Sequence, residues 1–173
     1  MNHTSNNKTR ILTLSALMAA MTCVATMLIQ IPSPGQGYVN LGDCIVNVSA
    51  WLLGPLFGAA AAGIGSALAD IISGYAVFAP ATLVIKALMA VVSFHVFKTV
   101  EKHLNRTFPA RIIAAVSAEI IMTAGYVLYE TFIYGSFAAA VSGAYGDLVQ
   151  GFMGVISSVA IYELIIKRIP KNI

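Results

Sequence analysis

Charge is what this chain of 173 residues has least of. Seven Asp and Glu and ten Lys and Arg make up 10% of it, while 58% is hydrophobic. A soluble domain is usually about a quarter charged, so a soluble fold is excluded and the class is integral membrane. Cysteine is equally scarce. Cys23 and Cys44 lack CxxC spacing, which argues against a metal or redox motif and leaves two small buried hydrophobes. The sequence contains no GxxxxGK[ST] loop for ATP, no HExxH, no GxSxG and no Cys/His cluster with metal spacing. His3, His95 and His103 stand isolated. With no nucleophile–base pair, the expectation is a protein that is not an enzyme and carries no cofactor. Paired broken helices in an inverted repeat are also missing, which weakens a self-contained secondary transporter.

The few basic residues are unevenly placed. They fall in three clusters: Lys8 and Arg10; Lys98, Lys102, Arg106 and Arg111; and Lys167, Arg168 and Lys171. Long apolar stretches separate them. The other connections, near Pro32 to Asn40, Gly74 to Pro80 and Gly135 to Ala144, hold no Lys or Arg. This is the positive-inside pattern. It predicts an even number of spans, both termini in the cytoplasm, and uncharged connections facing outside. The clusters are short and lack interleaved aromatics, so the net charge of +3 points to no nucleic-acid partner. Lys8 and Arg10 before an apolar run imitate a secretory signal, but the run from Ile11 to Ile31 is longer than a signal core of about 7–15 residues. It reads as a retained first helix.

A span needs about 20 apolar residues. The first helix runs over 11–31 and ends in an irregular outer loop at Pro32-Ser33-Pro34-Gly35. The apolar region 42–74 is too long for one span and tight for two; Gly54-Pro55 is its best break. Two short helices follow, 43–54 and 56–73, the second built almost wholly of small residues that allow close helix approach in lipid. The fourth helix spans about 79–100 with Pro80 in its first turn, the fifth about 110–134, and the sixth about 143–169, stopped by Pro170. The expected fold is all-α: one polytopic membrane domain over 1–173, six transmembrane helices with the second and third short, and a polar cytoplasmic N-terminus at 1–10.

On this layout the acids Asp43, Asp70, Glu130 and Asp147 fall near the outer helix ends. Lys86, the one basic residue outside the clusters, joins them. Each charge near mid-membrane costs roughly 2.5–3.5 kcal/mol, so such groups need a partner or a task. Asn40, Asn47, Tyr75, Tyr126, Tyr134, Tyr145 and Gln150 lie in the same zone. Asp43, Asn47 and Trp51 share one helix face by their spacing, and so do Tyr126, Glu130 and Tyr134, with Glu119 deeper on roughly the same side. The functional reading is an outward pocket for a small polar aromatic molecule, its rings stacked on Trp51 or Tyr and its polar groups held by Asp, Glu, Asn and Gln. The plainer reading has Tyr and Trp decorating the interface, Asp43 and Asp70 capping helices, and Lys86 pairing with Asp70. Small-xxx-small patterns at Ala16-Leu-Met-Ala-Ala20, Gly54-xxx-Gly58 and Ala59-xxx-Gly63 serve either internal packing or the docking of another membrane subunit.

The ordered series Asn40-Leu41-Gly42-Asp43, Leu53-Gly54-Pro55-Leu56-Phe57-Gly58, Gly63-Ile64-Gly65-Ser66-Ala67-Leu68-Ala69-Asp70 and Ala79-Pro80-Ala81-Thr82-Leu83-Val84-Ile85-Lys86 resembles the S component of an energy-coupling factor (ECF) vitamin transporter, most closely the riboflavin/hydroxymethylpyrimidine/pyridoxine-type branch. Glu119, Gly125-Tyr126, Glu130 and Gln150-Gly151 extend the similarity, which covers roughly residues 11–168. The resemblance implies six membrane helices, a vitamin site near the outer face, and no ATPase on this chain. It also implies docking through an AxxxA face on the first helix, matched by Ala16 and Ala20, onto a membrane T subunit that carries two ABC-type ATPases. Asp147 departs from the pattern, standing where a neutral, Asn-like residue is usual. Carboxylates near the site disfavour phosphorylated vitamins and folate. The expected ligand is pyridoxine- or hydroxymethylpyrimidine-like, with riboflavin next. The alternative is a membrane scaffold or assembly subunit whose acids only cap helices.

Overall fold

The computed structural model describes residues 3–32 and 37–168. Five long helices dominate it: α1 (His3–Leu28), α2 (Gly42–Ile72), α3 (Ala79–Leu104), α4 (Thr107–Tyr134) and α5 (Phe137–Leu164), followed by one 3-10 turn, Ile166–Arg168. All five are long and apolar enough to cross a membrane. Between α1 and α2 the chain makes a minimal antiparallel ribbon, β1 (Ile31–Pro32) and β2 (Tyr38–Val39), with Ile31 opposite Val39 and Pro32 opposite Tyr38. The expected irregular loop is therefore partly paired; Pro34 and Gly35 lie outside the described residues, as do Pro170 and Lys171.

Several boundaries differ from the sequence expectation. α1 begins at His3, inside the stretch read as a polar tail, and ends at Leu28. α5 begins at Phe137 rather than near Gly143, because the Ser136 side chain accepts a hydrogen bond from the Ala139 amide at 3.3 Å and caps the helix there. Neither Asp43 nor Asp70 caps a helix: the N-cap of α2 is Leu41, without a side-chain cap bond, and its C-cap is Ser73.

α2 is broken at Gly54, whose φ of 80° and ψ of −177° are non-helical. That backbone region is almost confined to glycine, and Pro55 starts the following turn without an N–H to satisfy. The break reverses the chain. Asp43 and Asp70 stand 27 residues apart, about 40 Å along a straight helix, yet Gln150 hydrogen-bonds Asp43 and lines one cleft with Asp70. A Cβ on Gly58 would stand 2.8 Å from the Ser49 carbonyl and 2.9 Å from the Ala50 Cα. The first arm thus descends from Asp43 to Trp51, and the second returns to Asp70 packed against it. α1 crosses the second arm closely enough that a Cβ on Gly65 would collide with the Ala19 carbonyl.

The bundle has two chemically distinct ends. At one, Trp51 packs edge-on to Tyr162 at 5.6 Å and beside Phe97 at 6.2 Å. Arg111 lies 3.8 Å over the Tyr162 ring and ion-pairs with Glu163, which also binds Lys167 at 2.8 Å. Arg111, grouped in the sequence with an exposed basic cluster, is in fact buried; Lys98, Lys102, Arg106 and Lys167 are exposed.

Between the ends lies a buried polar core. Lys86 of α3 ion-pairs with Asp43, and both side chains are almost wholly enclosed. Lys86 also reaches the Met122 sulfur at 3.1 Å, and Gln150 of α5 donates to Asp43. Below them Asn47 donates to Glu119 at 3.2 Å and accepts from Ser93 at 2.7 Å. Gly154 makes room: a Cβ there would lie 2.7 Å from Glu119 and 2.9 Å from Asp43. The expected Lys86–Asp70 pair is replaced by Lys86–Asp43. Stripping one partner from a buried pair typically costs about 3–5 kcal/mol. Lys86→Met is therefore expected to lower the thermal unfolding midpoint of the detergent-purified protein sharply, and the double variant Asp43→Asn/Lys86→Met to recover most of that loss.

Candidate functional site

A cleft opens above the polar core, at the end away from the basic side chains. Its empty space, counted together with the solvent at its open mouth, amounts to about 410 Å³. Asn40, Asp70, Tyr75, Tyr126, Glu130, Asp147 and Gln150 line it, together with Gly37, Tyr38, Phe78 and Thr82. The ribbon, both ends of the α2 hairpin and helices α3, α4 and α5 all contribute.

The floor is fixed by amides. The Gln150 carbonyl accepts the Asn40 backbone N–H at 2.9 Å and the Asn40 side-chain amide at 2.8 Å. The Gln150 amide nitrogen donates to Asp43 and to the Met122 sulfur at 3.2 Å. Asn40 in turn accepts the Gly42 N–H at 2.8 Å, which starts α2. One side is aromatic. Tyr38 and Tyr75 lie 4.7 Å apart, centroid to centroid, and the Tyr38 hydroxyl donates to Asp70 at 2.7 Å. Burial, then the Asp70 carboxylate beside it, pushes the Tyr38 hydroxyl well above its ordinary pKa, so it stays protonated and remains a donor. Opposite, the Thr82 and Tyr126 hydroxyls share a hydrogen bond of 3.0 Å.

Of the side chains anticipated around a ligand, Asn40, Asp70, Tyr75, Tyr126, Glu130, Asp147 and Gln150 line this cleft. Asp43, Asn47 and Lys86 lie beneath it, tied to one another or to its floor. Trp51 is elsewhere: it shares a face with Asp43, but eight residues of helix carry it about 12 Å deeper, into the aromatic cluster around Arg111. The stacking role assigned to Trp51 is corrected on that ground. Tyr145 points away and is 71% exposed. Tyr38, Phe78 and Thr82 went unanticipated. Thr82 had a signal, since it precedes Lys86 by four residues on one face of α3; Tyr38 had none, because only the ribbon pairing brings it over Asp70.

Asp147 has a second aspect. It also borders a broad apolar groove on the outside of the bundle, between α4 and α5, walled by Val116, Ile120, Val127, Leu148, Phe152 and Val155 with Glu119 and Gly151 at its base. Ala16 and Ala20 lie on the exposed side of α1, whereas Ala19 faces Gly65 of α2.

Comparison with known proteins now adds to this geometry. The chain is 39% identical over 147 residues to an uncharacterised protein of Pyrococcus woesei, covering 84% of this chain and 95% of that one. Its fold matches a solved structure described as the S component of a bacterial ECF transporter, with a TM-score of 0.74 at 18% identity, covering 92% of this chain and 97% of the other. Residues 6–167 match the family described as ECF-type riboflavin transporter, S component. Such S components are multi-pass membrane proteins and substrate-binding transport subunits, not enzymes. Carrying that family's signature over nearly its whole length, the chain belongs to the ECF-type riboflavin transporter S component family.

Proposed function

We propose that this chain captures a small heteroaromatic vitamin or precursor from the extracellular side of the plasma membrane and delivers it through an ECF complex. The observation that carries the reading is the cleft itself. Three carboxylates, Asp70, Glu130 and Asp147, surround one small space with Tyr38, Tyr75, Phe78 and Tyr126, in helices that are otherwise apolar. Intramembrane ionisable groups are costly and mark function by default. Acidic and amide groups around aromatic rings favour a pyridoxine- or hydroxymethylpyrimidine-like molecule; riboflavin comes next.

The proposed topology has six crossings, with the two arms of α2 as short spans on either side of Gly54, within one membrane domain over 1–173. The exposed Lys and Arg of the basic end support cytoplasmic termini and an outward cleft. Asn40, Asp70, Tyr75, Tyr126, Glu130, Asp147 and Gln150 are proposed to meet the ligand, and Asp43, Asn47 and Lys86 to hold their frame. Ala16 and Ala20, exposed on α1, are proposed to dock on a membrane T subunit bearing two ABC-type ATPases, where small side chains let helices approach.

The direct test is mass spectrometry of small molecules released from the detergent-purified chain. A stoichiometric B vitamin or precursor is expected. An empty protein that no vitamin stabilises would favour the scaffold alternative, since a true ligand at a hundredfold excess over Kd adds about 2.7 kcal/mol. Glu130→Gln is expected to weaken binding of that ligand about tenfold or more, the scale of one charge-assisted hydrogen bond, with the unfolding midpoint of the ligand-free protein kept. Ala16→Leu and Ala20→Leu should each abolish cellular uptake while the isolated subunit still binds ligand; normal uptake by both would remove the docking assignment.

A further inference from the structure

The hydrogen-bonding capacity left over in the cleft is lopsided. Gln150 has its carbonyl and its amide nitrogen engaged. Lys86 gives its ammonium to Asp43 and Met122 beneath the floor, and among the described residues no Lys or Arg lines the cleft. The Tyr38 hydroxyl hydrogen goes to Asp70. What remains is mostly acceptor. Among the described residues, Asp70, 5% exposed, has no partner for its Oδ2, and Glu130, 6% exposed, has none for its Oε2. Both line the cleft, and Asp147 is a third carboxylate there. A carboxylate accepts and cannot donate, and a buried one left unmatched is costly. Lys86 is paired with Asp43 beneath the floor, so for the cleft acids Asp70 and Asp147 it is only a more distant charge.

We infer that the ligand completes this site by bringing what it lacks: positive charge and N–H donors on a single aromatic ring. The inference rests on the cleft being the substrate site and sharpens its chemistry. The substrate is a cationic amine or a protonated heterocycle, its charged group set between Asp70 and Glu130 and its ring against Tyr75 and Phe78. A neutral ring alcohol can donate hydrogen bonds but brings no net charge to offset the carboxylates; an anion meets like charge on three sides.

The test compares three molecules that share one ring and differ in charge, by calorimetry on the full-length chain in detergent at neutral pH: pyridoxamine, pyridoxine and pyridoxic acid. Pyridoxamine is expected to bind about tenfold or more tighter than pyridoxine, the scale of one charge-assisted hydrogen bond, and pyridoxic acid not measurably. Pyridoxine binding as tightly, or any binding of the acid, overturns the inference and leaves the binding-subunit reading standing. Where none of the three binds, the charge of the co-purified ligand decides: a cation upholds the inference, a neutral or anionic ligand overturns it. A chain that neither carries nor binds any small molecule overturns both readings together. Asp70→Asn provides a second handle, because it should weaken the amine more than the alcohol and so narrow the ratio of their affinities about tenfold. An unchanged preference takes the charge recognition away from Asp70.

Discussion

The buried pair of Asp43 with Lys86 is the constraint on which the rest of the structure depends. Two opposite charges sit where water does not reach, and such a pair holds only when its remaining hydrogen-bonding groups are matched. The matching is done by four different segments. Gln150 brings α5, Met122 brings α4, and Lys86 itself is α3, while Asp43 begins the first arm of α2. In lipid there is no hydrophobic drive between helices, so a polar junction of this kind also fixes which helices are neighbours and at what height. The cleft inherits its floor from the same junction, since Gln150 reaches down to Asp43 and up to Asn40.

The sequence spoke clearly about what lipid demands. Sparse charge, spans of about 20 apolar residues and clustered Lys and Arg made the membrane class legible, and Gly54-Pro55 marked the place where the backbone of α2 departs from the helix. The acids Asp70, Glu130 and Asp147 were legible as a group because they recur at the uncharged ends of separate apolar runs. Periodicity failed where depth mattered. It put Asp43, Asn47 and Trp51 on one face correctly but said nothing of how far down each lies, so Trp51 was assigned to the wrong end. It also failed where tertiary pairing decides. Tyr38 reaches Asp70 through a ribbon two residues wide, and Lys86 chooses Asp43 over Asp70 through packing among four elements. The start of α5 was missed because Ser136 acts as a cap within a stretch of small residues that reads as a loop.

The two ends of the bundle divide the work. Around Trp51, Phe97 and Tyr162 the polar groups are cationic and stacked on rings, with Arg111 held by Glu163. Around the cleft three carboxylates meet hydroxyls and amides, and Asp70 Oδ2 and Glu130 Oε2 have no partner among the described residues. Helix α4 links the two, carrying Arg111 at one end, Glu119 in the middle and Glu130 at the other.

Asp147 borders both the polar cleft and the apolar groove between α4 and α5. One side chain there faces a polar space and an apolar one at once. A carboxylate is costly against hydrocarbon, so Asp147 gains from every polar contact that the cleft side offers, and filling the cleft is thereby tied to the comfort of α5 in lipid.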